Sequence, residues 1–304
     1  MKILLFGKNG QVGWELQRSL AQIGSVVALG HNEESGLVGD LCDLQGVRET
    51  CRSVRPDVIV NAAAYTAVDN AENERDNAEL INGLAPGVMA DEAKILGALL
   101  VHYSTDYVFD GSGLLPWREV DATAPLNIYG QTKLMGEQAI LSSGCRHLIF
   151  RTSWVYGLYG RNFVKTILNI AGRRESINVV DDQVGAPTSA DFLADVTAHA
   201  LHWSTYADVP SGLFHLVASG ETSWYDYAKL IVTEATRCGY ELAVRHIEPV
   251  SSRQYPSLAK RPLNSRLSTE KFESCFGLRI PSWEVGVGRV VQEMAQARLQ
   301  GGAL

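Results

Sequence analysis

Short apolar runs alternate with helical patterns along the first half of the chain. The runs are continuous and rich in β-branched residues, which is typical of parallel strands buried on both faces. We predict strands at Ile3–Phe6, Val26–Leu29, Val58–Asn61, Leu99–Tyr103 and Leu148–Arg151. A period near 3.6 residues predicts helices around Trp14–Ala21, Leu44–Val54, Ala78–Leu96, Ile128–Leu141 and Asn162–Ala171. This alternation predicts an α/β fold built on a doubly wound parallel sheet.

After about residue 155 the pattern becomes mixed, and Pro and Gly become more frequent. We expect strands at Ile177–Val180 and Leu213–Val217, and helices at Ala190–Ala200, Trp224–Thr236 and Trp283–Ala297. We therefore predict a large domain of residues 1–155 with part of 189–217. Residues 156–188 and 218–304 are predicted to form a smaller α/β lobe over the sheet edge. The last residues, 298–304, are expected to fray.

Composition narrows the class of protein. The chain has 304 residues, of which 46% are hydrophobic, so it can bury a large core. No apolar run approaches the roughly 18–20 residues of a membrane helix. The net charge is −7, without a cluster of Lys and Arg, which argues against nucleic acid as a partner. The five scattered cysteines favour a reduced, cytoplasmic protein without disulfides or a zinc site.

A glycine-rich loop follows the first predicted strand. Gly7, Gly10 and Gly13 are spaced three apart, and a helix is predicted to begin there. Such a loop lets the backbone approach a pyrophosphate, and the helix N-terminus offers free N–H groups. The position between a strand and a helix favours a dinucleotide site over an ordinary turn. The small residues at Ala62–Ala64, which end the third strand, fit either a flat cofactor or tight helix–sheet packing.

A tyrosine and a lysine four residues apart are the candidate reacting groups. Tyr129 and Lys133 share one face of a predicted helix. A tyrosine is a protonated acid at neutral pH, as reduction of a ketone requires, and a nearby ammonium is expected to lower the tyrosine pKa. The pair alone also fits a solvated helix face. Ser104 and Thr105 end the fourth strand at the ligand-binding edge of such a sheet, where hydroxyls either hold a carbonyl or cap a turn.

These motifs together resemble the extended short-chain dehydrogenases and, within them, the dTDP-4-dehydrorhamnose reductase family. The resemblance runs through nearly the whole chain. It is carried by the glycine loop, by the motifs STDYVF and YGxTK, and by the later RTSWVY and QxGAPT, all read from this sequence at Gly7–Leu16, Arg55–Glu72, His102–Gly111, Asn127–Glu137, Leu148–Gly157, Asp181–Asp195 and Arg261–Phe272.

The resemblance implies a Rossmann domain with a smaller lobe that binds the nucleotide sugar. It implies NAD(P)H-dependent reduction of the 4-keto group of dTDP-4-dehydro-L-rhamnose, the last step of dTDP-L-rhamnose synthesis. Tyr129 is then the proton donor, Lys133 holds the nicotinamide ribose and Thr105 binds the reacting oxygen. The implied cofactor residues are Gly7, Gly10, Gln11, Val12, Gly13, Gly30, Asp40, Leu41, Ala63, Ala64, Tyr65, Thr66, Tyr129 and Lys133. The implied substrate residues are Ser104, Thr105, Asp106 and Trp154.

Three alternatives are weighed beside this one. Related sugar-nucleotide dehydratases carry an Asp-Glu pair after the strand-four threonine, but Asp106 is followed here by Tyr107, which favours simple reduction. A dinucleotide-binding regulatory subunit stays open, because the regulatory β subunit of methionine adenosyltransferase resembles the same reductases. Reduction of another nucleotide deoxysugar also stays open, since the residues that read the base lie in the variable lobe.

A metal site is the third implication of the resemblance. Some relatives form Mg²⁺-bridged homodimers with acids at matching positions, which here are Glu15, Asp191 and Asp195. Three carboxylates suit Mg²⁺, whereas a solvated acidic face is the ordinary alternative and is favoured.

The choice between NADH and NADPH depends on the end of the second strand. An Asp or Glu there usually binds the adenosine ribose and selects NADH, but this chain has Gly30 followed by His31 and Asn32. Glu33 and Glu34 come later, in a predicted solvated loop. The missing carboxylate predicts that NADPH is accepted at least as well as NADH.

Overall fold

Residues 1–33, 35–206 and 211–299 are described by a computed structural model. Twelve strands are assigned within these ranges: β1 Lys2–Phe6, β2 Ser25–Leu29, β3 Val58–Asn61, β4 Leu99–Thr105, β5 Arg146–Thr152, β6 Val155–Tyr156, β7 Ser176–Val180, β8 Val184–Gly185, β9 Thr188–Ser189, β10 Gly212–His215, β11 Thr222–Ser223 and β12 His246–Val250. The α-helices are α1 Gln11–Leu20, α2 Leu44–Val54, α3 Val68–Ala71, α4 Arg75–Glu79, α5 Ala85–Leu96, α6 Ile128–Ser143, α7 Phe163–Ala171, α8 Ala190–Tyr206, α9 Trp224–Arg237, α10 Glu270–Phe276 and α11 Trp283–Leu299.

The central feature is a six-stranded sheet in the order β10-β5-β4-β3-β1-β2. Every neighbouring pair in it is parallel. The strands are apolar runs covered on both faces, and one buried cluster lies on each side of the sheet. The predicted α/β class with a doubly wound parallel sheet is confirmed. The chain leaves β1 for β2 on one side and then crosses to β3 on the other, so a crevice opens where the strand order reverses.

One predicted helix was wrong in its continuity. Instead of a single helix over Ala78–Leu96, the structure has α4, a π-helical turn at Leu80–Leu84 and then α5. The turn makes room for Asn82, a buried amide that bonds the backbone N–H and carbonyl of Tyr65 at 2.8 and 3.0 Å. Periodicity alone does not detect such a turn, because the hydrophobic pattern continues through it.

The rest of the chain packs in two places. Helix α8 lies against α1, and β10 extends the large sheet. A separate core of the smaller lobe gathers α7, β7, α9 and α11 around Tyr156 and Tyr227. Helix α10 departs from the predicted domain division, because Phe272 and Phe276 pack into the cluster of the large sheet rather than into that lobe. The domain bounds therefore stay a prediction.

No helix within residues 1–33, 35–206 and 211–299 is long and apolar enough to cross a membrane. All five cysteines lie in the described ranges and are free. Of the predicted fraying segment 298–304, residues 300–304 lie outside the described residues, and so does Glu34 of the second-strand loop.

Candidate active site

A cleft of about 570 Å³ opens at the carboxyl edge of the large sheet, over the crevice between β1 and β3. Its volume is within the range of small-molecule sites. The predicted residues that line it are Gly7, Gly10, Gln11, Val12, Gly30, Asp40, Leu41, Ala63, Ala64, Thr66, Ser104, Tyr129 and Lys133. The structure thus brings together most of the predicted cofactor residues with the two predicted reacting groups.

The loop requires glycine at positions 7 and 13 because a side chain there would collide with the backbone. Gly7 has φ +89°, a conformation that side chains disfavour, and a Cβ there would lie 2.6 Å from the backbone nitrogen of Ala63. A Cβ on Gly13 would overlap the carbonyl oxygen of Gly7. Gly13 therefore serves close packing of α1 on the loop, and it does not line the cleft.

Gln11 connects the glycine loop to the smaller lobe. Its amide nitrogen donates to the carbonyl of Val155 at 3.3 Å, and its amide oxygen accepts from Asn162 at 2.9 Å. Asn162 also caps α7 through the backbone N–H of Lys165. The two halves of the chain thus meet at the floor of the cleft.

Tyr129 lies in the first turn of α6. Asn127 caps the start of this helix: its side-chain oxygen accepts from the N–H of Gly130 at 2.8 Å, and its amide nitrogen donates to the carbonyl of Lys260 at 2.8 Å. Burial raises the pKa of Tyr129 to about 12, an effect opposed by its hydrogen bond with Thr105. The phenol is therefore protonated throughout the neutral range, as a proton donor must be.

Lys133 is 1% exposed and lies one turn after Tyr129. Its Nζ donates to the carbonyl oxygen of Tyr103 at 2.6 Å and lies 3.2 Å from Nε2 of His102. Burial lowers the pKa of Lys133 to about 8. The expected lowering of the tyrosine pKa by Lys133 is wrong for this structure, because the amine is held against β4 and burial dominates at the phenol.

The predicted substrate hydroxyls have two roles at the end of β4. Thr105 donates to Asp106 at 3.0 Å and caps the following turn by accepting from the N–H of Tyr107 at 3.2 Å. The Ser104 hydroxyl lines the cleft, is buried and has no partner within the described part of the chain, and the same holds for Thr152. These two hydroxyls fit a polar ligand, because a buried unpaired hydroxyl is costly.

Asp106 is buried beside Thr105 and Ser265. Burial raises its pKa to about 7, against the hydrogen bonds from those side chains. One of its oxygens, Oδ2, has no partner within the described residues. A group with that pKa is able to offer either a donor or an acceptor to a ligand near neutral pH.

Trp154 follows β5 in a left-handed backbone conformation, with φ +48°. Its ring stacks on Trp224 at a centroid distance of 3.7 Å, and Gly185 leaves room for it. It does not line the cleft, so its predicted contact with a sugar is not visible there. A strained backbone at a sheet edge nevertheless suggests a functional constraint.

The three acids predicted to bind Mg²⁺ are not gathered into a metal site. Asp195 accepts from Arg18 at 2.8 Å and from Ser19 at 2.5 Å, and Asp191 pairs with Arg289 at 3.1 Å. Glu15 pairs with Arg18 at 3.5 Å. Within residues 1–33, 35–206 and 211–299, no group of three or more His, Cys, Asp or Glu is placed to hold a metal. Each of these carboxylates is instead paired with an arginine, which compensates part of its charge.

Two buried residues at the cleft were missed from the sequence. Asn61 ends β3 and His102 lies in β4, each 1% exposed. Asn61 bonds His102, and His102 bonds the amine of Lys133. The available signal was a polar residue inside an apolar, buried strand, since buried polar groups need partners. Asn82 was missed as well, because the π-helical turn that places it was not predicted.

Comparisons with known proteins agree with this geometry. The family model described as RmlD substrate binding domain matches residues 1–296. The dTDP-4-dehydrorhamnose reductase of Escherichia coli K12 is 53% identical over 294 residues, which cover 97% of this chain and 98% of that protein. The enzyme of the same name from Salmonella typhimurium LT2 is 54% identical over 97% and 98% of the two chains.

Solved structures agree as well. The crystal structure of dTDP-4-dehydrorhamnose reductase from Bacillus anthracis in complex with NADP superposes with a TM-score of 0.87 at 35% identity, over 96% of this chain and 99% of that one. The family model and this structure each match nearly the whole chain. The chain belongs to the RmlD substrate-binding-domain family.

Proposed function

We propose that this protein is a reductase that converts dTDP-4-dehydro-L-rhamnose to dTDP-L-rhamnose with NADPH or NADH. The observation that carries the proposal is the buried Tyr129 hydroxyl, protonated and bonded to Thr105, at the edge of a cleft that also contains Lys133. The names of the relatives with over 50% identity supply the substrate. Both lines of support point to reduction of a ketone.

The residues of the cleft fit a nicotinamide dinucleotide. The glycine loop leaves no room for side chains beneath the backbone, and α1 points its N-terminus toward it. The unpartnered hydroxyls of Ser104 and Thr152 offer hydrogen bonds deeper in the cleft. When bound, such a cofactor supplies the hydride that reduces the keto carbon.

The chain supplies the proton and the orientation. The Thr105 hydroxyl turns from Asp106 to donate to the substrate carbonyl, which holds that carbonyl beside the phenol. The O–H bond of Tyr129 breaks and its proton goes to the keto oxygen, which leaves a tyrosinate one turn before Lys133. The edge-on ring of Tyr107, 5.6 Å from that of Tyr129, excludes water from one side of the phenol.

The product identifies the reaction. The chain is incubated with dTDP-glucose, the upstream dehydratase and epimerase, and NADPH or NADH, and the product is identified by mass and NMR. We expect dTDP-L-rhamnose with one cofactor oxidised per product. A chain that binds the dinucleotide but never oxidises it would instead be the regulatory subunit considered above. Oxidation only with a different keto sugar would identify another substrate.

Location and assembly are proposed on the resemblance alone. We place the reaction in the cytoplasm and propose that the enzyme is a homodimer. Cell fractionation and sedimentation equilibrium test the two statements separately.

Cofactor choice is expected to favour NADPH by a modest margin. Position 30 is a glycine, and the acid nearest the adenosine end of the cleft is Asp40, whose carboxylate lies 3.3 Å from His31. The imidazole of His31 lies beside this carboxylate and is able to donate a hydrogen bond to a 2′-phosphate. Because an imidazole gains positive charge as the pH falls, the preference for NADPH should grow toward pH 6.

The measurement is kcat/KM for both cofactors at pH 6 and pH 8. The change His31→Ala serves as the matched control and should remove the pH dependence of the preference. A clear preference for NADH at both pH values would mean that Asp40 binds the ribose and that the prediction is wrong.

Trp154→Ala is expected to weaken binding of the sugar nucleotide and to spare the cofactor. Loss of a stacked aromatic contact of about 0.5–1.5 kcal/mol corresponds to a rise of up to about tenfold in the sugar KM. The melting temperature should also fall, since the ring packs on Trp224. Trp154→Phe keeps an apolar ring and should restore most of the affinity. An equal loss of sugar and cofactor affinity would show that Trp154 acts only in packing.

A further inference from the structure

A buried chain of hydrogen bonds connects the loop after β3 with Lys133. The backbone N–H of Ala63 donates to Oδ1 of Asn61 at 3.1 Å. The amide nitrogen Nδ2 of Asn61 lies 3.1 Å from Nδ1 of His102, and Nε2 of His102 lies 3.2 Å from Nζ of Lys133. The chain ends where Nζ donates to the carbonyl of Tyr103 at 2.6 Å.

The groups at the two ends of this series of hydrogen bonds determine which atom donates and which accepts at each contact. A backbone N–H only donates, so it determines which end of the Asn61 amide is oxygen and turns the NH₂ group toward His102. Nδ1 of His102 must then accept. Burial lowers the pKa of His102 well below its usual value, so the ring is neutral; because Nδ1 accepts, its single proton lies on Nε2.

These hydrogen-bond directions affect the protonation of Lys133. Nε2–H of His102 donates toward Nζ, while Nζ itself donates to the carbonyl of Tyr103. An ammonium has three donors and no lone pair, so it would place two N–H groups against each other at the His102 contact. A neutral amine satisfies both contacts, because it has two N–H donors and one lone pair.

We propose that Asn61 and His102 are positioning residues that oppose the protonation of Lys133 and make it depend on the loop at Ala63. Protonation of Lys133 requires Nε2 to accept, which moves the imidazole proton to Nδ1 and places it against the NH₂ group of Asn61. Relief of that contact requires the amide to rotate, which breaks its bond to Ala63. Ala63 lines the cofactor cleft, so the charge of Lys133 and the shape of the cleft are coupled.

The other charged and titratable groups near Lys133 do not replace this effect. On α6, Glu137 favours the ammonium, but its carboxylate is engaged in a buried bidentate pair with Arg151 of β5, at 2.9 and 2.7 Å. Tyr129 is protonated in the neutral range. In the turn after β4, Asp106 and Tyr107 face the phenol of Tyr129 rather than the amine.

The titration of Lys133 is measured directly, in protein labelled with [ε-¹³C]lysine. Its resonance is assigned by its absence in Lys133→Met. In the wild type we expect titration near pH 8, as burial lowers the pKa of Lys133 to about 8. An ordinary value near 10.4 would overturn the inference.

Two variants distinguish the effect of hydrogen-bond direction on the pKa of Lys133 from the effect of burial. His102→Leu removes the Nε2–H donor without adding charge, and we expect the pKa of Lys133 to rise by about one unit, a tenfold gain in proton affinity. An added apolar side chain alone would lower it, so an unchanged or lowered value rejects the proposal. Asn61→Asp keeps the size of the side chain and the acceptor for the N–H of Ala63. It also turns residue 61 into an acceptor toward His102, which reverses the hydrogen bonds up to Lys133, and it should raise the pKa of Lys133 further. His147→Leu, a buried histidine at the far end of β5, should leave it unchanged.

The catalytic consequence rests on the proposed function, but the titration does not. If the ammonium is the active form, the alkaline limb of kcat/KM should move to higher pH in both variants, together with the NMR titration. Loss of stability without such a shift is what a merely structural role predicts, and the melting temperature records it separately. Absence of turnover in the wild type would reject the proposed function while leaving the NMR result to decide this inference.

Discussion

Tyr129→Phe is expected to lower kcat by about 10²–10⁴-fold, the usual contribution of a general acid, with cofactor Kd nearly unchanged. The hydroxyl is the group bonded to Thr105, and its pKa of about 12 keeps it protonated at every pH of the assay. Its removal deletes the proton source and leaves the ring in place. Stopped-flow kinetics and fluorescence titration of the cofactor measure the two quantities.

A matched control is available for this change. Tyr227 is a buried tyrosine of the smaller lobe whose hydroxyl has no partner within the described residues. Tyr227→Phe should leave kcat unchanged. A Tyr129→Phe enzyme that keeps more than about a tenth of wild-type kcat would show that another group donates the proton, given the usual size of such effects.

Lys133→Met is expected to reduce both kcat and cofactor affinity, each by about tenfold or more. The amine lies in the cofactor cleft and next to Tyr129, so it serves binding and proton supply together. The carbonyl of Tyr103 and Nε2 of His102 also lose their partner, which should cost about 1–3 kcal/mol of unfolding free energy each if left unpaired. Calorimetry measures that cost beside the kinetics.

A lysine outside the cleft serves as the control for Lys133. Lys94 bonds the carbonyl of Ser143 at 2.8 Å outside the cleft, and Lys94→Met should leave rate and affinity unchanged. Unaltered cofactor Kd in Lys133→Met would instead assign Lys133 to the fold alone. The rate of reduction should also depend on pH in a definite direction. Since Lys133 is charged below about pH 8 and neutral above, the rate should decline on the alkaline side near that value.

Much of the large domain follows from its hydrophobic pattern. Strand β3 and helix α2 have the predicted bounds, because a continuous buried strand and a well-capped amphipathic helix leave little choice. Helix α1 begins at Gln11 rather than Trp14, since Gly13 packs directly on the glycine loop. The lobe was less predictable: β12, at His246–Val250, is polar and contains a proline, and only its pairing with β7 makes it a strand.

In the site, too, residues in local sequence motifs were predictable, whereas residues brought together only by the fold were not. The glycine loop and the Tyr129–Lys133 pair are local motifs, and they were found. The roles of Asn61 and His102 were not, because 41 residues separate the two sides of their contact and only strand pairing brings them together. The direction of the tyrosine pKa was also missed, because burial of the phenol depends on the whole fold.

Asn127 has a consequence for the engineering of this enzyme. A single side chain caps the helix of the proton donor and bonds the carbonyl of Lys260, 133 residues away. The start of α6 is thus built by both halves of the chain. A chimera that takes residues 1–155 from one relative and the remainder from another keeps its helix register only if both parents present that carbonyl in the same place. The two halves should therefore be inherited together, and recombination between family members is expected to succeed more often at surface loops than at the lobe boundary.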